Sequence, residues 1–296
     1  MIDESKLILP DPNNVRIIIS DCDGTLLNSK HELSERTNKA INYALDNYDV
    51  NFVIATGKTR YSVTHIRKQL NIDMRKNCLA VHSNGCVIYD DKDQVIKEFF
   101  MDKDIVLKNI ELYNKHLAGR DYSYVLYVRD VLYLPRKDKW SAFLEEYGER
   151  VAIYPEPELL KMVENNELAI NKVCVLTTPE VFYDGFDKIL QKFIDSYEGI
   201  SFITGNTRCY ETQPEEISKG ASLKYIMEEL NVKPEQVMAF GDSFNDISMF
   251  NVAGYKYAMG NSEKAVMEVA TNVTESNDED GIAVILENTF MKNKKN

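Results

Sequence analysis

Two aspartates one residue apart, in Asp21-Cys22-Asp23-Gly24-Thr25-Leu26, directly follow the apolar run Val15-Arg16-Ile17-Ile18-Ile19-Ser20. Such a pair can hold a hard cation, attack phosphorus and carry a proton. An ionised carboxylate beside a divalent cation is a competent nucleophile, as in aspartyl-phosphate chemistry. Its neighbour can protonate a leaving oxygen and later deprotonate water. Side chains two apart on a strand share a face, and where the chain turns both can converge on one pocket. Gly24 permits the turn and Thr25 can hydrogen-bond locally. Asp-x-Asp alone also suits a solvated turn. The strand before it and Gly-Thr-Leu after it favour chemistry.

Three other segments offer complementary groups. Gly241-Asp242-Ser243-Phe244-Asn245-Asp246 ends another apolar run and adds two carboxylates. Mg²⁺ takes near-octahedral oxygen ligands, with few carboxylates and several waters. Asp21, Asp242 and a backbone carbonyl suffice. The same acids would also suit an N-cap and first helical turn. Thr56-Gly57 ends a third run, and a hydroxyl with backbone amides ahead of a helix can receive phosphoryl oxygens. Lys219 opens a helix, where the dipole disfavours a cation. It is either solvated or compensates clustered carboxylates and a phosphate.

The elements that must position these groups alternate. Apolar runs at Asn51–Ala55, Cys78–His82, Gln236–Phe240 and Lys256–Met259 resemble the first one and end in small or polar residues. Helical spacing lies between them: Ser34 to Tyr48, Thr59 to Leu70, and Ser218 to Leu230 with Ser218 as N-cap. Strands alternating with helices imply an α/β fold around a Rossmann-like parallel sheet. From about Asp91 to Arg208 the pattern changes. Ser123–Val128 and Val131–Leu134 form a hairpin, and Asp102–Leu117 and Val181–Tyr197 read as helices. Ala169–Leu176 and Ile200–Thr204 read as strands. The expectation is a discontinuous core, 1–90 plus 209–296, carrying an inserted α+β domain at 91–208. Hinges are expected near Asp90-Asp91 and Thr207-Arg208-Cys209.

Composition sets limits. The 296 residues carry 35 Lys+Arg against 47 Asp+Glu, a formal charge of −12. A field of that sign opposes nucleic acid and anionic membrane and leaves phosphate binding to local cations. No apolar stretch approaches a membrane span, and the acidic start Met1-Ile2-Asp3-Glu4-Ser5 has no signal core. A cytoplasmic location follows as the expectation. Five cysteines, Cys22, Cys78, Cys86, Cys174 and Cys209, are scattered without a C-x-x-C pair and read as reduced thiols. His31, His65, His82 and His116 show no metal-ligand spacing and read as structural. The Tyr-rich stretch Tyr122 to Tyr133 reads as sheet and core.

In order, Asp-x-Asp-Gly-Thr-Leu, Thr-Gly, Lys and Gly-Asp-x-x-Asn-Asp resemble the haloacid dehalogenase superfamily of phosphohydrolases. Ala55-Thr56-Gly57, Ser83-Asn84-Gly85, Glu216-Ile217-Ser218-Lys219-Gly220, Ala258-Met259-Gly260-Asn261 and Val273-Thr274 to Asp280-Gly281-Ile282-Ala283 are similar to its Cof-type branch. The resemblance implies a Rossmann-like core and a C2-type cap in the insert. It makes Asp21 the nucleophile and a Mg²⁺ ligand, and Asp23 the general acid/base with its carbonyl on the metal. Thr56, the Gly57 amide and Asn245 would hold the phosphoryl group, with the Cys22 amide facing it. Lys219 would bridge nucleophile and phosphate, Asp242 would ligate Mg²⁺ and Asp246 would support it. The branch usually has Arg after Thr-Gly. Here Lys58 keeps the charge without the planar fork. Lys58 and Lys172 are candidate substrate contacts, Lys172 set against a plain surface lysine. The implied activity is a Mg²⁺-dependent phosphatase for small phosphorylated metabolites, sugar phosphates foremost. A phosphomutase of the same superfamily is the alternative, and a non-catalytic metabolite-binding regulator a more distant one.

Overall fold

The structure is a computed structural model and describes residues 3–206 and 208–292. Thr207, part of one expected hinge, lies outside the described residues. The strands in chain order are β1 (Ile17–Ser20), β2 (Asn51–Ala55), β3 (Ala80–His82), β4 (Val87–Tyr89), β5 (Val95–Glu98), β6 (Tyr122–Val128) and β7 (Val131–Leu134). They continue with β8 (Val151–Ile153), β9 (Lys172–Thr177), β10 (Ile200–Asn206), β11 (Cys209–Pro214), β12 (Val237–Gly241), β13 (Tyr255–Ala258) and β14 (Asn272–Val273).

One sheet runs β14-β13-β12-β1-β2-β3-β4-β5. Its neighbours from β14 through β3 pair in parallel, and β4 turns back antiparallel to β3. Ile17, Ile18 and Ile19 of β1 are fully buried, as expected for a parallel strand covered on both faces. From β1 the chain moves outward to β2 and β3 on one side. It later fills the other side with β12, β13 and β14. The order therefore reverses between β1 and β12, and such a switch point opens a crevice at the strands' carboxyl ends.

Helices supply the layers. Glu35–Asn47 buries Ala40, Ile41, Ala44 and Leu45, and the Ser34 hydroxyl accepts from the Thr37 amide at 3.0 Å. Lys219–Leu230 buries Leu223, Ile226 and Met227, with Ser218 as the expected N-cap at 3.0 Å from the Ala221 amide. At Gly220 a Cβ would meet the Ser248 carbonyl at 2.1 Å, so only glycine lets this helix start approach Ile247–Phe250.

The chain divides into two compact units. The first holds Met1–Gly57, Thr64–Ile96 and Ser218–Asn296; the second holds Lys58–Val63 and Lys97–Ile217. Asp90-Asp91, the other expected hinge, sits in a tight turn that leads into β5. The Asp90 carboxylate accepts from the Lys92 and Gln94 amides, both at 2.8 Å. β11 belongs to the second sheet, which therefore continues past Arg208.

The second unit carries the sheet β10-β11-β9-β6-β7-β8, antiparallel except for β7 against β8. A large apolar cluster joins it to the helices Lys103–His116, Glu156–Glu164 and Phe186–Ile194. A second cluster joins Val125, Tyr127, Leu132 and Leu134 to Trp140 and Leu144 of the helix Lys139–Glu146. Buried Tyr124 and Tyr127 bear out the reading of the hairpin as sheet and core. The helix expected over Val181–Tyr197 is two, Pro179–Tyr183 and Phe186–Ile194, because Gly185 adopts φ +85° between them. Lys172 is not a surface lysine. It is fully buried, with Nζ 2.5 Å from Glu211 Oε1 and 4.1 Å from the centre of the Tyr127 ring. Lys58 lies over Tyr147 at 5.3 Å. Beside it the Thr59 amide donates to the buried Glu149 carboxylate at 3.2 Å and the Thr59 hydroxyl at 2.5 Å.

Candidate active site

The end of β1 carries Asp21, nearly buried, and the end of β12 carries Asp242. The Asp21 amide donates to the Phe240 carbonyl at 3.0 Å, which fixes the first strand end to the other. Oxygens of Asp21, Asp242 and Asp246 lie within 4.8 Å of one another. Lys219 Nζ donates to Asp21 Oδ1 and, at 2.6 Å, to Asp246 Oδ1. This settles the reading of Lys219: it is fully buried among carboxylates and not solvated.

The three acids are engaged differently. Asp246 Oδ2 accepts from the Asp242 and Ser243 amides at 2.9 and 3.0 Å, while its Oδ1 takes Lys219. Both oxygens are thus committed to holding the loop. Asp242 accepts from the Thr25 hydroxyl at 2.8 Å and from the Ser243 hydroxyl at 3.2 Å. Thr25, expected to bond locally, instead ties the first motif to the last. Gly24 explains how. It adopts φ +78°, and a Cβ there would lie 2.6 Å from Asp242 Oδ2. Gly24→Ala is expected to cost about 1–3 kcal/mol from strain and overpacking. It should also lower kcat, since relief requires Asp242 to move; a thermal melt and an initial-rate assay on the same sample check both.

Electrostatics follow from burial. Burial pushes Asp21 well above the usual carboxylate range; Lys219 pulls it down, and Asp246 and Asp242 push it up again. Asp242 is raised to about 6, by burial first and then by Asp246. Burial opposes the Lys219 charge, but Asp21 and Asp246 outweigh it and hold the ammonium above its ordinary value. Three acids and one lysine leave this pocket short of positive charge. Carboxylate oxygens are hard donors, and three of them converge here, so the site fits a hard divalent cation.

That imbalance has a measurable consequence. Asp242 ionises near 3.8 when unfolded and about 6 when folded. Between those values the folded chain binds more protons, so stability falls as pH rises. From this group alone the metal-free protein should lose about 3 kcal/mol between roughly pH 4 and pH 7. Denaturant titrations in chelator across that range read the loss, and excess Mg²⁺ at neutral pH should reverse it.

The phosphoryl-binding candidates lie in the same unit. Thr56 is buried at the end of β2, and its carbonyl accepts from the Asn84 amide at 3.0 Å. Asn84 follows β3 in a left-handed pair with Ser83, at φ +58° and +51°. Its side-chain oxygen accepts from Asn245 Nδ2 at 3.2 Å, and a Cβ on Gly57 would lie 3.1 Å from that oxygen. Thr56, Gly57 and Asn245 are thus linked through Asn84. The Cys22 side chain is buried, and its carbonyl accepts from the Leu27 amide at 2.9 Å. Lys58 and Lys172 belong to the second unit.

Sequence reasoning missed three contacts. His31 Nδ1 lies 3.1 Å from Asp23 Oδ1, although no spacing rule joins residues eight apart in a loop. Asn84 was visible only as part of Ser83-Asn84-Gly85. Asn261 Nδ2 also reaches the Gly24 carbonyl at 2.9 Å, anchoring the Asp21–Gly24 turn.

Residues 18–286 match the model of the haloacid dehalogenase-like hydrolases. The chain belongs to this family. An uncharacterised hydrolase of Schizosaccharomyces pombe is 32% identical over 95% of this chain and 93% of its own length. The Bacillus subtilis 5-amino-6-(5-phospho-D-ribitylamino)uracil phosphatase YcsE is 28% identical over 91% of this chain and 94% of its own. The crystal structure of TM0651 from Thermotoga maritima superposes with a TM-score of 0.75 at 26% identity, covering 92% of this chain and 97% of that one. The chain is accordingly a haloacid dehalogenase-like hydrolase with that family's α/β fold. Among the described residues no helix is long and apolar enough to cross a membrane.

Proposed function

We propose that the protein is a Mg²⁺-dependent phosphatase that hydrolyses small phosphate monoesters, sugar phosphates foremost, through an aspartyl-phosphate on Asp21. The observation that carries the reading is Lys219, buried between Asp21 and Asp246 beside Asp242. A surface ion pair has no need of three acids around one ammonium. A site that must receive a dianionic phosphoryl group and a divalent cation does.

In this reading Asp21 attacks phosphorus and the ester oxygen leaves with a proton from Asp23. Asp23 then takes a proton from the water that attacks the same phosphorus, and inorganic phosphate is released. Lys219 holds Asp21 in line and carries positive charge to the phosphoryl oxygens. The Thr56 hydroxyl, the Gly57 amide and Asn245 orient those oxygens, with the Cys22 amide facing them. Asp21, Asp242 and the Asp23 carbonyl would hold Mg²⁺, supported by Asp246; when bound, the ion supplies positive charge against the phosphoryl group. Phosphoryl transfer depends chiefly on such positioning and charge stabilisation. The first unit serves as the catalytic core and the second as the cap. The name of the Bacillus relative, a phosphatase of a phosphorylated ribityl chain, supports a polyhydroxylated leaving group.

Phosphate release from phosphorylated sugars, sugar alcohols and nucleotides tests this. With Mg²⁺ the sugar and sugar-alcohol esters should turn over best, and chelator should reduce release by at least ~100-fold, the several kcal/mol a catalytic cation contributes. Activity that survives both chelation and Asp21→Asn would overturn the mechanism.

A further inference from the structure

Cys174 and Cys209 stand far apart in the chain but meet in the second unit. β9 and β11 pair antiparallel, with Glu211 opposite Cys174 and Cys209 opposite Leu176. Cys209 and Glu211 share a sheet face, as do Cys174 and Leu176, so the two cysteines are diagonal neighbours on one face. Their sulfurs lie 3.0 Å apart. Two sulfurs in ordinary contact sit farther apart than this, and a disulfide bond is about 2.05 Å. Cys174 is buried and Cys209 half-buried. A small oxidant therefore meets Cys209 first, with Cys174 waiting behind it. Burial raises the Cys174 thiol, which suits a resolving partner better than a first attacker.

A metal ion is the competing use of this cluster, because Glu211 also lies within 4.8 Å of both sulfurs. The Glu211 carboxylate is already held by the buried Lys172 ammonium. A cation entering there would displace or oppose that charge, whereas oxidation of two thiols leaves it untouched.

We propose that Cys174 and Cys209 form an oxidative modification site, closed by hydrogen peroxide to a disulfide and reopened by a dithiol. The Cys209 thiolate attacks one peroxide oxygen; an S–O bond forms, the O–O bond breaks, and the departing hydroxide takes the thiol proton as water. The Cys174 sulfur then attacks the Cys209 sulfenic acid; the S–S bond forms, the S–O bond breaks, and hydroxide leaves with the Cys174 proton as a second water. Two thiols are oxidised and one peroxide is reduced. A dithiol reverses the step by thiol–disulfide exchange. The site is independent of the phosphatase reading.

Peptide mapping of the wild-type protein tests it. Folded protein is treated with hydrogen peroxide, unfolded, alkylated and digested without reductant. The expected product is one peptide pair joining Cys174 to Cys209, two hydrogens lighter than its parts, lost on dithiothreitol, with Cys22, Cys78 and Cys86 alkylated. It should form at least ~10-fold faster in folded than in urea-unfolded protein, because the fold holds the reactants together. Cys174→Ser and Cys209→Ser should each abolish it. Over-oxidised Cys209 beside an alkylatable Cys174, cross-links through the other cysteines, equal rates in unfolded protein, or stoichiometric zinc protecting both thiols would each overturn the proposal.

Discussion

Asp21→Asn is expected to reduce phosphate release by on the order of 10⁴-fold or more, the loss typical when a covalent nucleophile is removed. The fold should survive the change. Asn keeps the shape and an oxygen for Lys219, which now donates to Asp21 and Asp246. Burial and the neighbouring acids push Asp21 well above the ordinary range, so its charge is a burden to the metal-free protein at neutral pH. Removing that charge should leave the variant at least as stable as wild type in chelator. Mg²⁺ should stabilise wild type by more than it stabilises the variant, because one ligand is gone. Paired melts with and without Mg²⁺, beside single-turnover assays, separate these effects. A variant that retains more than about a thousandth of wild-type turnover would remove Asp21 from the role of nucleophile.

Lys219→Met attacks the same cluster from its cationic side, and the effect on stability should be large. The side chain is fully buried and pairs with two carboxylates. Deleting one partner of a buried ion pair leaves uncompensated charge and costs about 3–5 kcal/mol. The carboxylates can escape by taking up protons, so the deficit should shrink as pH falls toward about 5. Activity at neutral pH should drop by ~10²–10³-fold even under conditions where the variant is folded, from lost charge stabilisation. Denaturant curves at about pH 5 and about pH 7.5 check the stability claim. Equal stability of variant and wild type at the higher pH would mean that the ammonium is not what holds the acids together.

The parallel half of the first sheet was legible because its strands are apolar on both faces and end in polar residues. Ile17–Ile19 and Val237–Phe240 could hardly be anything else. Ser218 was legible as a cap because its hydroxyl precedes a clear helical period. The pairing of Lys219 with Asp246 was reachable only as compensation, since no local rule brings residues 27 positions apart into contact. What stayed hidden depends on conformations that composition does not announce. Ser83 and Asn84 adopt left-handed backbone without being glycine. His31 does so too, at φ +59°, and its ring comes to Asp23 from a loop without periodicity. The break at Gly185 was visible as a residue, but Phe186, Leu190 and Ile194 keep helical apolar spacing directly after it. In the second unit the helix at Lys139–Glu146 has a capping box between Asp138 and Ser141, a signal that its short length made easy to pass over.

The stretch Lys58–Val63 bears on how this protein could be re-engineered or could have diversified. It groups with residues 97–217 rather than with the strand that precedes it. Through it the buried Glu149 carboxylate gains two of its donors, and the Tyr61 amide reaches Asp130 at 3.1 Å. Residues 97–217 are therefore not a self-sufficient cassette. Moving them alone into a chain without a threonine at the position of Thr59 would leave Glu149 without the amide-and-hydroxyl pair that satisfies it, at about 1–3 kcal/mol for the orphaned group. A transplant aimed at a new substrate has to carry both pieces, and drift in the long piece is constrained by a six-residue partner encoded before it.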